Sequence, residues 1–163
     1  MEKEFINLVY KHIGILHKVC NSYFFKNPCK EDYFQEILIR LWKAYPTFRN
    51  QSSFSTWMYR VTINSAIDII RKRSILPVHI ELSKNELKIP VSFSFSESEE
   101  KEKLYSIINY LNINEKAIIL MYLDEFSYEE IAENIGISKS NVGVKINRIK
   151  NKLIKISNSD EYK

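Results

Sequence analysis

Two stretches of the sequence combine basic, amide and hydroxyl side chains at helical spacing, a combination that suits the binding of nucleic acid. In the segment FSTWMYRVTINSAIDIIRKR, residues 54–73, a helix would separate a polar stripe from an apolar face. The polar stripe consists of Arg60, Asn64, Asp68 and Arg71, and Lys72 and Arg73 follow it. The basic end would favour the helix dipole and could hold phosphates, although a solvated basic helix end would have the same composition.

The carboxyl-terminal segment SYEEIAENIGISKSNVGVKINRIKNKL has the spacing of a helix-turn-helix. It predicts a short helix over about Ser127–Asn134, a turn around Gly136, and a second helix that Ser138 opens. The exposed positions of the second helix would be Lys139, Ser140, Asn141, Val144, Lys145 and Arg148. Lys, Arg and Asn can read base edges in a major groove, so we favour DNA binding over an ordinary helical hairpin with a charged surface.

No catalytic or metal-binding pattern competes with nucleic-acid binding. His12, His17 and Cys20 lie near one another and near Cys29, but such residues on an apolar helical face usually pack in a core. The remaining histidine, His79, has no nucleophile and acid at an interpretable spacing, and the sequence has no glycine-rich phosphate-binding loop. The sequence therefore predicts a protein that is not an enzyme and that needs neither a metal nor a cofactor.

Charge is strongly segregated along the chain, whose formal net charge is +4. Residues 1–73 carry 12 Lys and Arg against 6 Asp and Glu, and residues 138–163 carry 7 against 2. Residues 98–137 reverse the balance, with 3 against 9. Two basic zones predict two contacts with a polyanion, because neutralising phosphates supplies much of the affinity for nucleic acid.

The sequence also predicts a cytoplasmic protein that is not inserted into a membrane. No apolar run is long enough to span a bilayer, and the first residues lack the order of a secretory signal. The chain has 2 cysteines, too few for a disulfide framework, and this number fits a reducing compartment.

Helical signals cover most of the chain, because only 3 Gly and 4 Pro interrupt it and no paired-strand pattern is evident. Helices are predicted over about Glu4–Phe25 and Glu31–Tyr45. The polar loop TFRNQSSFS then leads into the helix of residues 54–73, with Ser55 as its expected N-cap. Helical signals resume at Ser98, an expected cap, and again at Asn114.

The predicted fold class is therefore all-α, with two small helical domains. A bundle of three to four helices would occupy residues 1–75, and a helix-turn-helix domain would occupy residues 98–163. Residues 76–97 lose the helical pattern at Pro77 and Pro90, which predicts a linker.

Taken together, the chain resembles a sigma-70 family RNA polymerase sigma factor of the small extracytoplasmic-function type. The stretch EDYFQEILIRLWKAYPTFRNQSSFSTWMYRVTINSAIDIIRKR resembles the family's region two, and LNINEKAIILMYLDEFSYEEIAENIGISKSNVGVKINRIKNKL resembles its region four. The two stretches occur in the family's order, with a linker between them, and they cover more than half of the chain. Their pairing makes the resemblance specific, since many regulators carry a helix-turn-helix alone.

The resemblance implies a role for each group of polar residues. The outer face of the DYFQEILIRLW helix would dock on the beta-prime clamp helices of core RNA polymerase through Asp32, Gln35, Glu36, Ile39 and Arg40. The melted minus-10 element would be held by Asn50, Gln51, Ser52, Ser53, Arg60, Asn64, Arg71, Lys72 and Arg73. The minus-35 duplex would be held by Lys139, Ser140, Asn141, Val144, Lys145 and Arg148. Trp57 is assigned to the core because it shares a face with Val61, whereas Tyr59 stays open as a platform for base stacking.

Gly143 departs from the family pattern, in which a basic residue is common at this position. A glycine inside a helix costs about 1 kcal/mol relative to alanine. It would either permit a close approach of the backbone to DNA or reduce contact with phosphate.

The implied function is promoter recognition, minus-10 melting and transcription initiation. The implied partners are core RNA polymerase, through its beta-prime clamp helices and its beta flap, promoter DNA, and an anti-sigma factor, which nothing in the sequence identifies. A stand-alone helix-turn-helix regulator that never binds polymerase is the first alternative, and an adaptor that uses its helical faces without reading DNA is the second.

Overall fold

The structure, a computed structural model, describes residues 2–75 and 98–159, and the regular elements in these two ranges are all helical. The predicted all-α fold is therefore confirmed. A 3-10 turn at Tyr45–Thr47 accompanies helices α1 (Glu2–Tyr23), α2 (Lys30–Ala44), α3 (Phe54–Ile75), α4 (Glu99–Ile108), α5 (Ile113–Leu123), α6 (Tyr128–Ile135) and α7 (Lys139–Ser157). The predicted linker, residues 76–97, lies outside the described residues.

Capping side chains correct two of the predicted helix starts. At α3 the cap is Ser53 rather than Ser55, because the Ser53 hydroxyl accepts a hydrogen bond from the Thr56 N–H at 3.1 Å. At α5 the cap is Asn112, whose side chain accepts from the N–H of Glu115 at 2.9 Å, while the Glu115 carboxylate accepts from the Asn112 N–H at 2.9 Å. This reciprocal pair satisfies two N–H groups that a helix start leaves without partners. Ser98 occupies the predicted N-cap position of α4, but its side chain makes no capping hydrogen bond.

Helices α1, α2 and α3 pack around the core of the first half of the protein, residues 2–75. The fully buried side chains of this core include Leu16 of α1, Ile37 and Leu41 of α2, and Met58 of α3. The backbone of α1 is kinked at His12, whose φ of −117° and ψ of 15° are not helical. The rings of both histidines in α1 pack against aromatic rings, His12 at 5.7 Å from Phe54 and His17 at 4.7 Å from Phe34, measured between centroids.

Helices α4 to α7 form the second half, residues 98–159, around a core that includes Ile118, Leu120, Ile131 and Ile146. Contacts also run between the two predicted helical units, because α1 packs against α4 and α5, and α3 packs against α5. The two halves therefore share one continuous set of buried apolar side chains.

None of the helices within these two ranges is long and apolar enough to cross a membrane. Across residues 2–75 and 98–159, the structure also brings together no group of three or more His, Cys, Asp or Glu side chains that could hold a metal ion.

Candidate nucleic-acid interface

The turn between α6 and α7 is fixed by local chemistry at both of its ends. Ser127 caps α6 in a reciprocal pair with Glu130, and the Ser138 hydroxyl caps α7 by accepting from the Asn141 N–H at 3.3 Å. Between them Gly136 has a φ of +78°, in the left-handed region that favours glycine. The predicted helix-turn-helix, with its glycine turn and Ser138 cap, is confirmed, and α6 ends one residue beyond the predicted Asn134.

Apolar contacts hold α7 across α6 and leave one face of α7 open. Val142, Ile146 and Ile149 are buried on the inner side. Gly143 lies on a half-buried side of α7, where an added Cβ would come within 3.4 Å of the ring of Tyr128. Position 143 therefore faces α6, and a Cβ there would make an ordinary van der Waals contact with the Tyr128 ring.

The predicted minus-35 residues all lie along the amino-terminal half of α7, and five of them are exposed. These five are Lys139, Ser140, Asn141, Val144 and Arg148, while Lys145 is half-buried. The helix contains Lys and Arg but no Asp or Glu, and its amino-terminal N–H groups add a partial positive charge.

Not all of the basic side chains of α7 are free to bind phosphate. Lys139 forms an ion pair with Glu129 of α6, and its hydrogen bond lowers the pKa of that carboxyl. Lys150 donates to the Tyr122 hydroxyl at 2.6 Å and Lys152 to the Glu115 carboxylate at 2.8 Å, so both tie α7 to α5.

The loop between the 3-10 turn and α3, residues 48–53, lies over a cluster of aromatic rings and forms the second part of the candidate interface. The loop borders a cavity of about 530 Å³, lined by Glu4, Leu8, Tyr45, Pro46, Phe48, Asn50, Ser52, Ser53 and Phe54. Beneath it, the rings of Phe48 and Phe54 lie 5.3 and 5.4 Å from the ring of Trp57. Trp57 is half-buried and packs with the core, as the sequence predicted.

The loop residues predicted to bind the minus-10 element differ in how freely they can bind. Asn50, Gln51, Ser52 and Ser53 are all exposed, and Asn50 has a φ of +55°. The Ser53 hydroxyl is already occupied by the α3 cap and by the hydroxyls of Ser55 and Thr56, at 2.9 and 2.8 Å. The Ser52 hydroxyl makes one long hydrogen bond, to the Ser53 carbonyl oxygen at 3.4 Å. The amide of Asn50 is therefore the group best placed to contact a molecule in the cavity.

The polar stripe of α3 lies across a groove from the second half of the protein. Arg60, Asn64 and Arg71 are exposed, and with Asp68 they line a cavity of about 380 Å³. The opposite wall of this central groove belongs to α5 and α6 and consists of Asn114, Ala117, Met121, Asn134 and Ile135. Lys72 and Arg73 are also exposed, but the guanidinium of Arg73 lies over the ring of Tyr33 at 4.6 Å and is directed toward α2.

The predicted polymerase-binding face of α2 is less open than its sequence pattern indicated. Asp32 is exposed, but Gln35, Glu36, Ile39 and Arg40 are half-buried. The Arg40 guanidinium pairs with Glu36 and also lies 3.9 Å from the Asp68 carboxylate of α3. Arg40 therefore connects two helices of the first half in addition to facing outward.

Tyr59 is not a stacking platform, because its side chain is fully buried. Its hydroxyl donates to the carboxylate of Asp124, and its ring lies edge-on to Phe126, with 5.0 Å between the centroids. Burial, helped by Asp124, raises the pKa of Tyr59, which keeps the hydroxyl protonated as a donor. The spacing of Tyr59, Ile63 and Ala66 already marks a second apolar face on α3, a signal that could have located this residue.

The fold and the interface define a helical protein with a helix-turn-helix and a second polar site over an aromatic cluster. A family model for "Sigma-70 region 2" matches residues 8–75, and one for "Sigma-70, region 4" matches residues 101–153. The chain therefore belongs to the sigma-70 family, and its similarity to named factors places it among those of the extracytoplasmic-function (ECF) type.

Among curated relatives, the ECF sigma factor SigX of Bacillus subtilis is 26% identical over 121 residues, which cover 69% of this chain and 62% of SigX. SigW of the same organism is 28% identical over 153 residues, covering 86% of this chain and 76% of SigW. The chain thus spans about three fifths of the length of SigX and three quarters of the length of SigW.

Several solved structures share the fold, among them the following two complexes. The sigma factor RpoE of Bartonella quintana, in complex with the anti-sigma factor NepR, has a TM-score of 0.71 and 20% identity, covering 97% of this chain and 99% of RpoE. CnrH, in complex with the cytosolic domain of CnrY, has a TM-score of 0.68 and 20% identity, covering 98% of this chain and 91% of CnrH.

Proposed function

We propose that this protein is a sigma factor that binds core RNA polymerase, directs it to promoters and helps to melt the minus-10 element. The observation that carries the proposal is the pairing of two sigma regions in family order on a chain whose helix-turn-helix exposes a basic helix. Polymerase would perform the phosphoryl transfer, so this chain would act by binding and not as an enzyme. Such a factor works in the cytoplasm.

In this proposal α7 contacts the minus-35 element as duplex DNA. Among the described residues, no salt bridge involves Lys145 or Arg148, so these two cations are the first candidates for phosphate and base contacts. Lys139 would have to leave Glu129 to contribute. Ser140, Asn141 and Val144 complete the surface, and the exposed Val144 could contact a thymine methyl group.

The melted minus-10 strand would lie along the loop cavity and the polar stripe. Asn50, Gln51, Ser52 and Ser53 would contact a flipped base, whose edge needs amide and hydroxyl partners. Farther along α3, the strand would meet Arg60, Asn64, Arg71, Lys72 and Arg73. The aromatic cluster under the loop would act as a rigid support, because its rings pack against one another.

The polymerase contact would use the outer face of α2 on the beta-prime clamp helices, through Asp32, Gln35, Glu36, Ile39 and Arg40. The second half would contact the beta flap. Because RpoE and CnrH were solved with NepR and CnrY, we also propose an anti-sigma partner for this chain.

The decisive experiment is transcription in vitro with core RNA polymerase and a library of genomic fragments. Promoter-dependent initiation that requires this chain is the expected result. Binding of DNA fragments without any initiation would instead favour a stand-alone helix-turn-helix regulator, and the absence of both would favour an adaptor.

Site assignments on α7 can be tested on the promoters recovered from that assay. Lys145→Ala and Arg148→Ala should each weaken duplex binding and reduce the slope of log affinity against log salt by about 1, the value for one phosphate contact. Lys155→Ala is the matched control, since Lys155 is exposed on the last turn of the same helix and has no assigned role. Equal effects of all three changes would reject the assignment.

The α2 face needs a variant that leaves its internal contacts intact. Arg40 is unsuitable alone, because its loss would also remove contacts with Glu36 and Asp68. Gln35→Ala should reduce association with core polymerase while the thermal midpoint stays constant, and unchanged association would exclude Gln35 from the docking surface.

A further inference from the structure

The loop cavity, the space of about 530 Å³ beside residues 48–53, has one acidic wall. Among the described residues that line this cavity, only Glu4 has a charged side chain. Glu4 is exposed and belongs to the first turn of α1, so the loop itself does not supply this charge. A molecule in the cavity would therefore meet one carboxylate as well as neutral amide and hydroxyl groups.

Packing fixes the backbone that carries this carboxylate. Phe5, the next residue of α1, is buried, and the centroid of its ring lies 5.0 Å from that of Trp42 and 5.1 Å from that of Tyr45. Tyr45 is buried as well, and its ring lies 6.3 Å from the ring of Phe54, another residue that lines the cavity. The first turn of α1 is thus held against the aromatic rings beneath the loop.

A hydrogen bond also fixes the carboxylate itself. The Tyr45 hydroxyl donates to Glu4, and burial, together with the Glu4 charge, raises the pKa of Tyr45, so this hydroxyl stays protonated as a donor. An ionised carboxylate accepts several hydrogen bonds and donates none. Its remaining lone pairs are therefore available to a hydrogen-bond donor on a molecule that enters the cavity.

The DNA bases differ in what they would offer to such an acceptor. Cytosine and adenine present an exocyclic amino group, whereas thymine presents a carbonyl oxygen in its place. A carbonyl oxygen opposite a carboxylate would bring two acceptors together without a proton between them. The Asn50 amide both donates and accepts, so it can match either kind of base. Discrimination between the bases would therefore come from Glu4.

We propose that Glu4, positioned by Tyr45, makes the loop cavity selective for a base with an exocyclic amino group over thymine. This inference rests on the proposed function for the presence of a flipped base in the cavity. It adds a residue of α1 to a site that the sequence predicted from the loop and α3 alone. Glu4 would touch the base, whereas Tyr45 is a positioning residue that acts through Glu4.

Two pyrimidine hexamers test the selectivity, because cytosine and thymine have the same ring size and the two strands have the same charge. The full chain, isotopically labelled for nuclear magnetic resonance, is titrated with a deoxycytidine hexamer and with a deoxythymidine hexamer. The side-chain amide signal of Asn50 reports binding at the cavity. The wild type should bind the deoxycytidine hexamer about fivefold more tightly, the lower end of what a hydrogen bond between a carboxylate and a cytosine amino group contributes.

Glu4→Gln should abolish this preference, because a glutamine amide can also donate to thymine. It should strengthen the binding of both hexamers slightly, because a negative charge near the strand is lost. Glu2→Gln is the matched control, since Glu2 is exposed in the same first turn but does not line the cavity. This change removes the same charge from the start of the helix and should leave the preference unchanged.

Tyr45→Phe tests the positioning role, because it keeps the ring but removes the donor to Glu4. The preference should become smaller in this variant, since the carboxylate is no longer fixed. A purely structural role of Tyr45 would lower both affinities alike and leave their ratio unchanged.

Equal affinities of the wild type for the two hexamers, or no binding of either, would overturn the selectivity. A preference that survives Glu4→Gln would also overturn it, as would one that Glu2→Gln removes to the same extent. The transcription assay decides the proposed function separately. Promoter-dependent initiation without a preference would uphold the sigma proposal and reject the role of Glu4, whereas a preference that depends on Glu4, without initiation, would do the reverse.

Discussion

Gly136 provides a quantitative test of how the helix-turn-helix is held together. With a φ of +78°, the residue sits where an L side chain is strained, and an added Cβ would meet no atom within 4 Å. Gly136→Ala should therefore change only the backbone energy. The left-handed conformation costs a residue with a Cβ roughly 1–2 kcal/mol, and the lower entropy of the unfolded alanine chain offsets about 0.4–1 kcal/mol. The expected net destabilisation is about 1 kcal/mol.

A second glycine gives a matched control of opposite sign. Gly14 lies inside α1, is exposed, and an added Cβ there would also meet nothing within 4 Å, but its φ is not positive. Gly14→Ala should therefore stabilise the protein by about 0.5–1 kcal/mol, because alanine is preferred in helices. Gly136→Asn should be less harmful than Gly136→Ala, since asparagine tolerates the left-handed region.

Urea unfolding followed by helical circular dichroism measures both effects. Gly136→Ala should lower the urea midpoint by roughly 0.5 M or more, and Gly14→Ala should raise it, for a denaturant slope of about 1–2 kcal/mol/M. A neutral or stabilising Gly136→Ala would refute the strained turn. A loss of stability in both variants would refute the reasoning that only the sign of φ separates them.

Two ionisable groups give the remaining predictions. Burial, together with Glu31, raises the pKa of the Cys20 thiol to about 12, so alkylation near pH 8 should label Cys29 while Cys20 reacts only as the protein unfolds. Burial opposes the Glu115 charge, but hydrogen bonds from Lys152 and the backbone of Asn112 outweigh it and lower its pKa. The resulting stability is present above the unfolded pKa and is lost as the pH falls below about 4.5. When the pH falls from 6 to 3.5, the free energy of unfolding of the Lys152→Met variant should therefore decrease less than that of the wild type, by up to about 1 kcal/mol. A series of urea melts at different pH values measures this difference, and an equal decrease in both proteins would contradict the assignment.

Local sequence signals were sufficient to predict helix boundaries that depend only on residues close by in the sequence. The Ser127 cap, the Gly136 turn and the Ser138 cap of the helix-turn-helix were all predictable, because each acts within a few residues of itself. The missed Asn112 cap also had a local signal, in its spacing of three residues from Glu115. The N-cap of α3 was harder to choose, because Ser53 and Ser55 both lie close to the start of the same helix. Only the path of the backbone decides that the Ser53 hydroxyl accepts the hydrogen bond from the Thr56 N–H.

The sequence by itself therefore determined the helices, the helix-turn-helix, the segregation of charge and the resemblance to two sigma regions. Only the tertiary structure decided that Tyr59 is buried and not a base-stacking platform, and that Arg40 connects α2 to α3. It also decided that the carboxylate of Asp124, in the second half, contacts Tyr59 and Lys18 of the first half. The reason is physical: Tyr59 and Asp124 are 65 residues apart, and Lys18 and Asp124 are 106 apart. Periodicity fixes which face of a helix is apolar, whereas the partner that covers this face depends on how distant helices pack.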